Sequence, residues 1–151
     1  MKTILVPIDF SDVTNRVLEK AVELARALTG RLVILHVIQP PVNLSASDPI
    51  LIENTARITV AAEKAADKHL DRLRKTLLAD FDAVEVLRVT GAPVAQILEQ
   101  ASGLPADYIV LGSHGHTAVY DLLVGSTAHG VLKKSSCPVI IVPPSTEQRA
   151  A

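Results

Sequence analysis

Three short stretches of this chain hold residue types that could do chemistry. Gly112-Ser113-His114-Gly115 is followed, nine residues later, by Gly125-Ser126-Thr127. The glycines would let main chain approach a bound group with no Cβ in the way. A Gly-Ser-Thr run opening a helix offers N–H groups, two hydroxyls and the positive end of the helix dipole to an anion. The third stretch is the apolar run Thr3-Ile4-Leu5-Val6-Pro7-Ile8, which ends on the carboxylate of Asp9. That carboxylate can accept a hydrogen bond from a ligand, or cap its own turn through the amides of Ser11 or Asp12.

This is the chemistry of holding an anion with peptide nitrogens rather than of breaking bonds. Fast phosphoryl transfer needs a charged clamp, a positioned metal and a group that orients the nucleophile. Residues 113–124 contain no Arg or Lys, and no Gly-x4-Gly-Lys-(Ser/Thr) loop occurs. No acidic pair beyond Asp9 and Asp12 is placed for magnesium, so no catalytic residue is assigned. His114, His116 and His129 lack the fixed spacing of a tetrahedral metal site, and the two loop histidines are expected to be solvated. His36, within an apolar run, is expected to be a satisfied core histidine, and Cys137 beside Pro138 a packing residue.

The elements that must position these groups follow from periodicity. Thr3 to Asp9 has the length and β-branched content of a strand buried on both faces. Val17, Ala21, Leu24 and Leu28 then recur at helical spacing, with Ser11 or Asp12 as the cap and Thr29-Gly30 as the stop. Arg31 to Ile38 is a second strand, ended by Gln39-Pro40-Pro41. After a loop from 39 to about 50, the spacing of Ile58, Ala62, Ala65, His69, Leu73 and Leu77 predicts the inner face of a long helix. Val84 to Val89 is a third strand, and Gly91 to Gly103 a turn and helix with Pro93 in its first turn. Tyr108 to Leu111 is a fourth strand, Gly125 to Lys134 a last helix and Val139 to Val142 a fifth strand. Alternating strands and helices imply a parallel sheet covered by helices on both faces. Ligands of such sheets sit beyond the carboxyl ends of the strands, where the winding reverses, which points to Asp9, Val37, Thr90 and the segment after Leu111.

Composition narrows the class. The 151 residues suit one domain, expected over 1–144 with a flexible tail at 145–151. Fifteen Lys and Arg balance sixteen Asp and Glu, so no overall field draws nucleic acid or an anionic membrane. The absence of Trp and the scarcity of other aromatics remove the stacking platforms of single-strand binders. A single cysteine and the absence of a long apolar leader make the cytoplasm the expected location.

The glycine layout resembles the nucleotide-binding signature of the universal stress protein family, Gly-x2-Gly-x9-Gly-(Ser/Thr), matched by Gly112, Gly115, Gly125 and Ser126 without a gap. The opening Ile-Leu-Val-Pro-Ile-Asp9-Phe-Ser, Leu35-His36-Val37, the Gly91-x-Pro turn, Asp107 to Gly112 and Cys137 to Pro143 look like the same family. The resemblance implies a three-layer α/β/α fold, Rossmann-like and similar to adenine nucleotide alpha hydrolases, with a five-stranded parallel sheet of order 3-2-1-4-5. It further implies ATP binding, with or without Mg2+. Pro7, Ile8 and Asp9 would line the adenosine side, Val37 would meet the adenine edge and Leu111 the sugar. Gly112, Gly115, Gly125, Ser126 and Thr127 would cradle the triphosphate. His114 stands where many members carry Arg, which reduces the fixed positive charge near the phosphates. A homodimer through the edge strand Val139 to Val142 is also implied. The expected role is a nucleotide-dependent stress-response module. The alternatives are a slow ATPase or other nucleotide-dependent enzyme, and a structural or interaction dimer that binds no nucleotide.

Overall fold

The computed structural model describes residues 1–41, 48–115 and 124–150. Five parallel strands, β1 (Thr3–Ile8), β2 (Arg31–Ile38), β3 (Val84–Thr90), β4 (Tyr108–Gly112) and β5 (Val139–Val142), form one sheet of order β3-β2-β1-β4-β5. Helices α1 (Thr14–Ala27), α2 (Pro49–Leu78), α3 (Pro93–Gly103), α4 (Ser126–Lys134) and α5 (Thr146–Ala150) connect and follow them. Side chains alternate across each strand, so every central strand feeds two cores. Ile4, Val6, Ile34 and Val110 pack with Val17, Ala21 and Leu70 on the face of α1 and α2. Leu5, Leu35, Ile109 and Leu111 pack with Ile97, Ala128 and Val131 on the face of α3 and α4. Most of these side chains are fully buried, each worth roughly 1.5–3 kcal/mol of transfer free energy for a residue of this size.

The register opens a crevice where the winding reverses. β1 pairs with β2 over its whole length, from Thr3↔Arg31 to Ile8↔His36. Its pairing with β4 covers only Ile4↔Tyr108 and Leu5↔Ile109. Beyond Leu5 the two central strands part, and their carboxyl ends frame a gap.

Several local expectations change. Neither Ser11 nor Asp12 caps α1: the capping position is Val13, and no side chain bonds to the helix start. Phe10 takes a left-handed φ of 58°, and this kink places Ser11 and Asp12 before the helix rather than on its first turn. In α2, Asp48 caps by accepting from Ile50 N at 2.9 Å, with Pro49 in the first turn as its fixed φ favours. The inner face of α2 is offset from the predicted one: Ala66 and Leu70 are buried, whereas Ile58, Ala62, Ala65 and His69 are exposed. Leu73 and Leu77 do pack against the core. The first half of α2 carries more apolar residues than one stripe can hold, so period alone could not select the buried set.

The segment after Pro144 holds one turn of helix, α5. Ser145 N donates to Gln148 Oε1 at 2.7 Å, and Gln148 Nε2 donates to Asp12 O at 2.7 Å. The first bond closes the turn and the second ties it to the approach to α1.

Candidate functional site

A cavity of about 400 Å³ opens at the carboxyl ends of β1 and β4. Pro7, Ile8 and Asp9 from the end of β1, Val37 from β2 and Leu111 and Gly112 from β4 all line it. His114 and Gly115 from the following loop, and Gly125, Ser126 and Thr127 from the start of α4, complete the set. The residues assigned to a nucleotide site from the sequence therefore face one space, whereas Thr90, the strand end also pointed to, is not in its wall and donates to Glu63 Oε1 at 3.2 Å. His116 lies outside the described residues.

The glycines are required first by the protein's own packing. A Cβ on Gly112 would stand 2.9 Å from Val13 Cγ2 and 3.2 Å from His114 O. A Cβ on Gly125 would stand 3.0 Å from Ser113 O, and one on Gly115 would collide with the Asp9 carboxylate. The small residues thus let three elements close around the cavity: the first turn of α1, the loop after β4 and the start of α4. Gly125 N donates to Ser113 O at 2.6 Å, which fixes the loop to the helix it precedes. The sequence suggested only that glycine clears space for a ligand.

Gly125 occupies the capping position of α4 with extended geometry (φ −68°, ψ 166°). Among the described residues no side chain caps this helix and its first turn holds no acidic residue, while Lys133 and Lys134 complement the dipole at its far end. The start of α4 is therefore electropositive, with no side-chain acceptor among the described residues. Asp9 Oδ1 accepts from Ser11 N at 3.0 Å, so the carboxylate shapes its own turn and lines the cavity at once.

His114 corrects the expectation of a solvated loop residue. It is buried, and its Nδ1 lies 2.9 Å from Ser113 Oγ. The reason is local: the Gly112 and Gly115 contacts fold the loop inward, and the imidazole follows it into the cavity wall. His36 is half-buried and satisfied, with Nδ1 2.9 Å from Ile8 O and its ring 4.7 Å from that of Phe10. Cys137 packs against the second core. No group of three or more His, Cys, Asp or Glu side chains that could hold a metal occurs among the described residues.

Sequence reasoning missed other lining residues. Val13 before α1, Thr14 and Val17 of α1, Leu35 and Gln39 of β2 and the loop after it, Ile97, Ser113 and Ala128 also form the walls. Pro93, in the first turn of the helix after Gly91, reaches the cavity too. Two signals could have found some of them. Leu35 shares a strand face with Val37 through period two, and a helix entered directly after β1 must start at the same sheet edge. The lining is mostly apolar, with polar side chains contributed by Asp9, Thr14, Gln39, Ser113, His114, Ser126 and Thr127, the pattern of a small-molecule site.

The universal stress protein family model matches residues 1–143. A universal stress protein of Thermus aquaticus, from the 3′ region of a QAH/OAS sulfhydrylase gene, is 33% identical over 141 residues, 93% of this chain and 98% of that protein. Among solved structures, the universal stress protein UspA from Lactobacillus plantarum superposes with a TM-score of 0.81 at 29% identity, covering 93% of this chain and 97% of that one. A universal stress protein crystallised in complex with cAMP gives a TM-score of 0.62 at 27% identity, covering 95% and 98%.

Proposed function

Because the chain belongs to the universal stress protein family, we propose that its cavity binds an adenine nucleotide, ATP by preference, and that the bound state alters partner choice or assembly during stress. One observation carries the reading. All eleven residues singled out from the sequence (Pro7, Ile8, Asp9, Val37, Leu111, Gly112, His114, Gly115, Gly125, Ser126 and Thr127) line a single cavity at the reversal point of the sheet. Its apolar part suits a base and sugar, with the Asp9 carboxylate as acceptor for a ribose hydroxyl or the base. The start of α4, with Ser126 and Thr127 in the wall, suits phosphates. The relative solved with cAMP supports this class of ligand. Mg2+ would arrive with the triphosphate and be held chiefly by phosphate oxygens and water, as this ion prefers.

The test is extraction of small molecules from denatured purified protein for mass spectrometry, followed by calorimetric titration of nucleotide-free protein with ATP, ADP, AMP and cAMP. The expected result is a co-purified adenine nucleotide and saturable ATP binding that Asp9→Ala and Ser126→Ala both weaken. Absence of nucleotide and of binding heat would leave a structural or interaction dimer as the better account. Phosphate release at roughly 10 per second, a typical enzyme rate, would make the protein an enzyme instead.

The proposal includes homodimerisation through β5 and a cytoplasmic location. β5 is an edge of the sheet, and Ile140 on it is 36% exposed. Ile141 packs against the core, so Ile140→Lys is the cleaner probe. Sedimentation should show a dimer for the natural chain and a folded monomer for this variant. No helix among the described residues is long and apolar enough to cross a membrane.

A further inference from the structure

Phe10 is a bulky residue in a backbone conformation that bulky residues avoid. Its φ of 58° lies in the left-handed region, which residues other than Gly, Asn and Asp seldom enter. Such a turn persists only where its surroundings hold it, and strained turns of this kind gather at functional sites. The surroundings of Phe10 are specific. Its ring lies between two imidazoles, 4.7 Å from that of His36 on β2 with a tilt of 49°, and 5.2 Å from that of His69 on α2, edge-on at 70°. Both are geometries of favourable ring pairs. The same ring packs against the core on the face of α1 and α2.

The rings act on the chain at Asp9. His36 Nδ1 donates to Ile8 O at 2.9 Å, which fixes the peptide that joins Ile8 to Asp9. The left-handed turn at Phe10 brings the next amide back to Asp9, where Ser11 N donates to Oδ1 at 3.0 Å. The other carboxylate oxygen, Oδ2, lies against Gly115 in the loop after β4. Asp9 thus has one oxygen bound into its own turn and the other directed at the loop that closes the cavity. Asp9 lines that cavity, whereas Phe10, His36 and His69 do not, and His69 is exposed on α2. The three rings therefore influence a ligand there through the chain at Ile8 and Asp9.

We propose that Phe10, His36 and His69 are positioning residues of the nucleotide site: three rings that pin the left-handed turn after β1, and with it the direction of the Asp9 carboxylate, and that link α2 to the cavity. This rests on the nucleotide reading above and adds to it a determinant that lies outside the cavity wall. With the ring at position 10 removed, little holds the turn in its strained form, the Ser11 amide leaves the carboxylate, and Asp9 no longer presents a fixed acceptor to a ribose or base.

The test uses Phe10→Gly, which accepts the turn without strain but supplies no ring, together with His69→Ala and His69→Phe, in which an exposed residue of α2 loses or keeps its ring. Calorimetry with ATP and with adenosine should show about tenfold weaker binding of both in Phe10→Gly and about threefold in His69→Ala, with His69→Phe close to the natural chain, as ring pairs of this kind contribute at that level. In an Asp9→Ala background neither change should weaken binding further, an outcome that a general loss of structure would not reproduce. Hydrogen exchange of the Ser11 amide in ligand-free protein reads the turn independently: it should quicken in Phe10→Gly and His69→Ala and not in His69→Phe. Unchanged ATP affinity and Ser11 exchange in folded Phe10→Gly and His69→Ala would overturn the proposal while leaving nucleotide binding intact, and so would a loss of affinity that persists in the Asp9→Ala background. If the natural chain bound neither ATP nor adenosine, the nucleotide reading would fail, and the exchange rates would still decide: faster exchange in the two variants supports the ring clamp on Asp9, and unchanged exchange removes it.

Discussion

At the amino ends of the strands, Lys2 Nζ lies 2.7 Å from Asp107 Oδ1, Thr3 N donates to Asp107 Oδ2 at 2.8 Å, and Arg31 Nε donates to Thr3 Oγ1 at 3.0 Å. At the carboxyl ends, Ser11 Oγ, Thr14 Oγ1 and Arg16 Nε are buried without partners and two helices begin uncapped. Of the three, only Thr14 lines the cavity, and Ser11 lies at a separate hollow. Other polar groups at that end are paired: His36 Nδ1 lies 2.9 Å from Ile8 O, and Asp9 Oδ1 accepts from Ser11 N at 3.0 Å. An unanswered buried polar group costs stability, so the two ends of the sheet differ in how fully their buried polar atoms are answered.

Changes at the two ends should have different signatures. The largest effect is expected from Gly112→Val, whose branched side chain would meet both Val13 and the His114 carbonyl. Overpacking of this kind costs about 1–3 kcal/mol. Thermal denaturation should show a clear loss of stability, and calorimetry a loss of ATP binding, because α1 and the loop after β4 are forced apart. Asp9→Ala comes next: it should weaken nucleotide binding at least about tenfold while lowering the melting temperature only slightly, since a single turn-capping bond is lost.

Asp107→Asn at the opposite end should do the reverse, lowering stability modestly without changing nucleotide affinity. The hydrogen bond from Lys2, reinforced by the Thr3 amide, holds the Asp107 carboxyl below its ordinary range. A carboxylate whose folded pKa is depressed contributes stability above its unfolded pKa, near 3.9 for a typical Asp, and loses it as pH falls through the lower folded value. Acid unfolding curves of the natural chain should therefore contain a component below about pH 4 that Asp107→Asn lacks. The smallest effect is expected for Ser11→Ala, which removes a hydroxyl with no internal partner. Its melting temperature should match or slightly exceed that of the natural chain, and a marked drop would show that the carboxyl end is internally satisfied after all.

Much of this architecture is legible in the sequence because the central strands are unbroken apolar runs between clear stops. Thr3–Ile8, Arg31–Ile38 and Val139–Val142 fall where composition and proline placed them. The expected site residues converge because each was tied to a strand end or a helix start. What escaped was set by contacts between elements. The inner face of α2 depends on where Ala66 and Leu70 meet the sheet, not on local period. The burial of His114 depends on Gly115 closing on Asp9, and the orphaned Thr14 hydroxyl on the kink at Phe10. Neither is visible until the two loops are side by side.

The central claim is that an adenine nucleotide sits between the loop after β4 and the starts of α1 and α4. The most direct measurement is an amide chemical-shift map of nitrogen-15-labelled, nucleotide-free protein during titration with ATP. Saturable shifts are expected at Asp9, Thr14, Gly112, Gly115, Gly125, Ser126 and Thr127, with Lys2, Arg31 and Asp107 unmoved. Shifts confined to the amino ends of the strands, or none at saturating ATP, would contradict it.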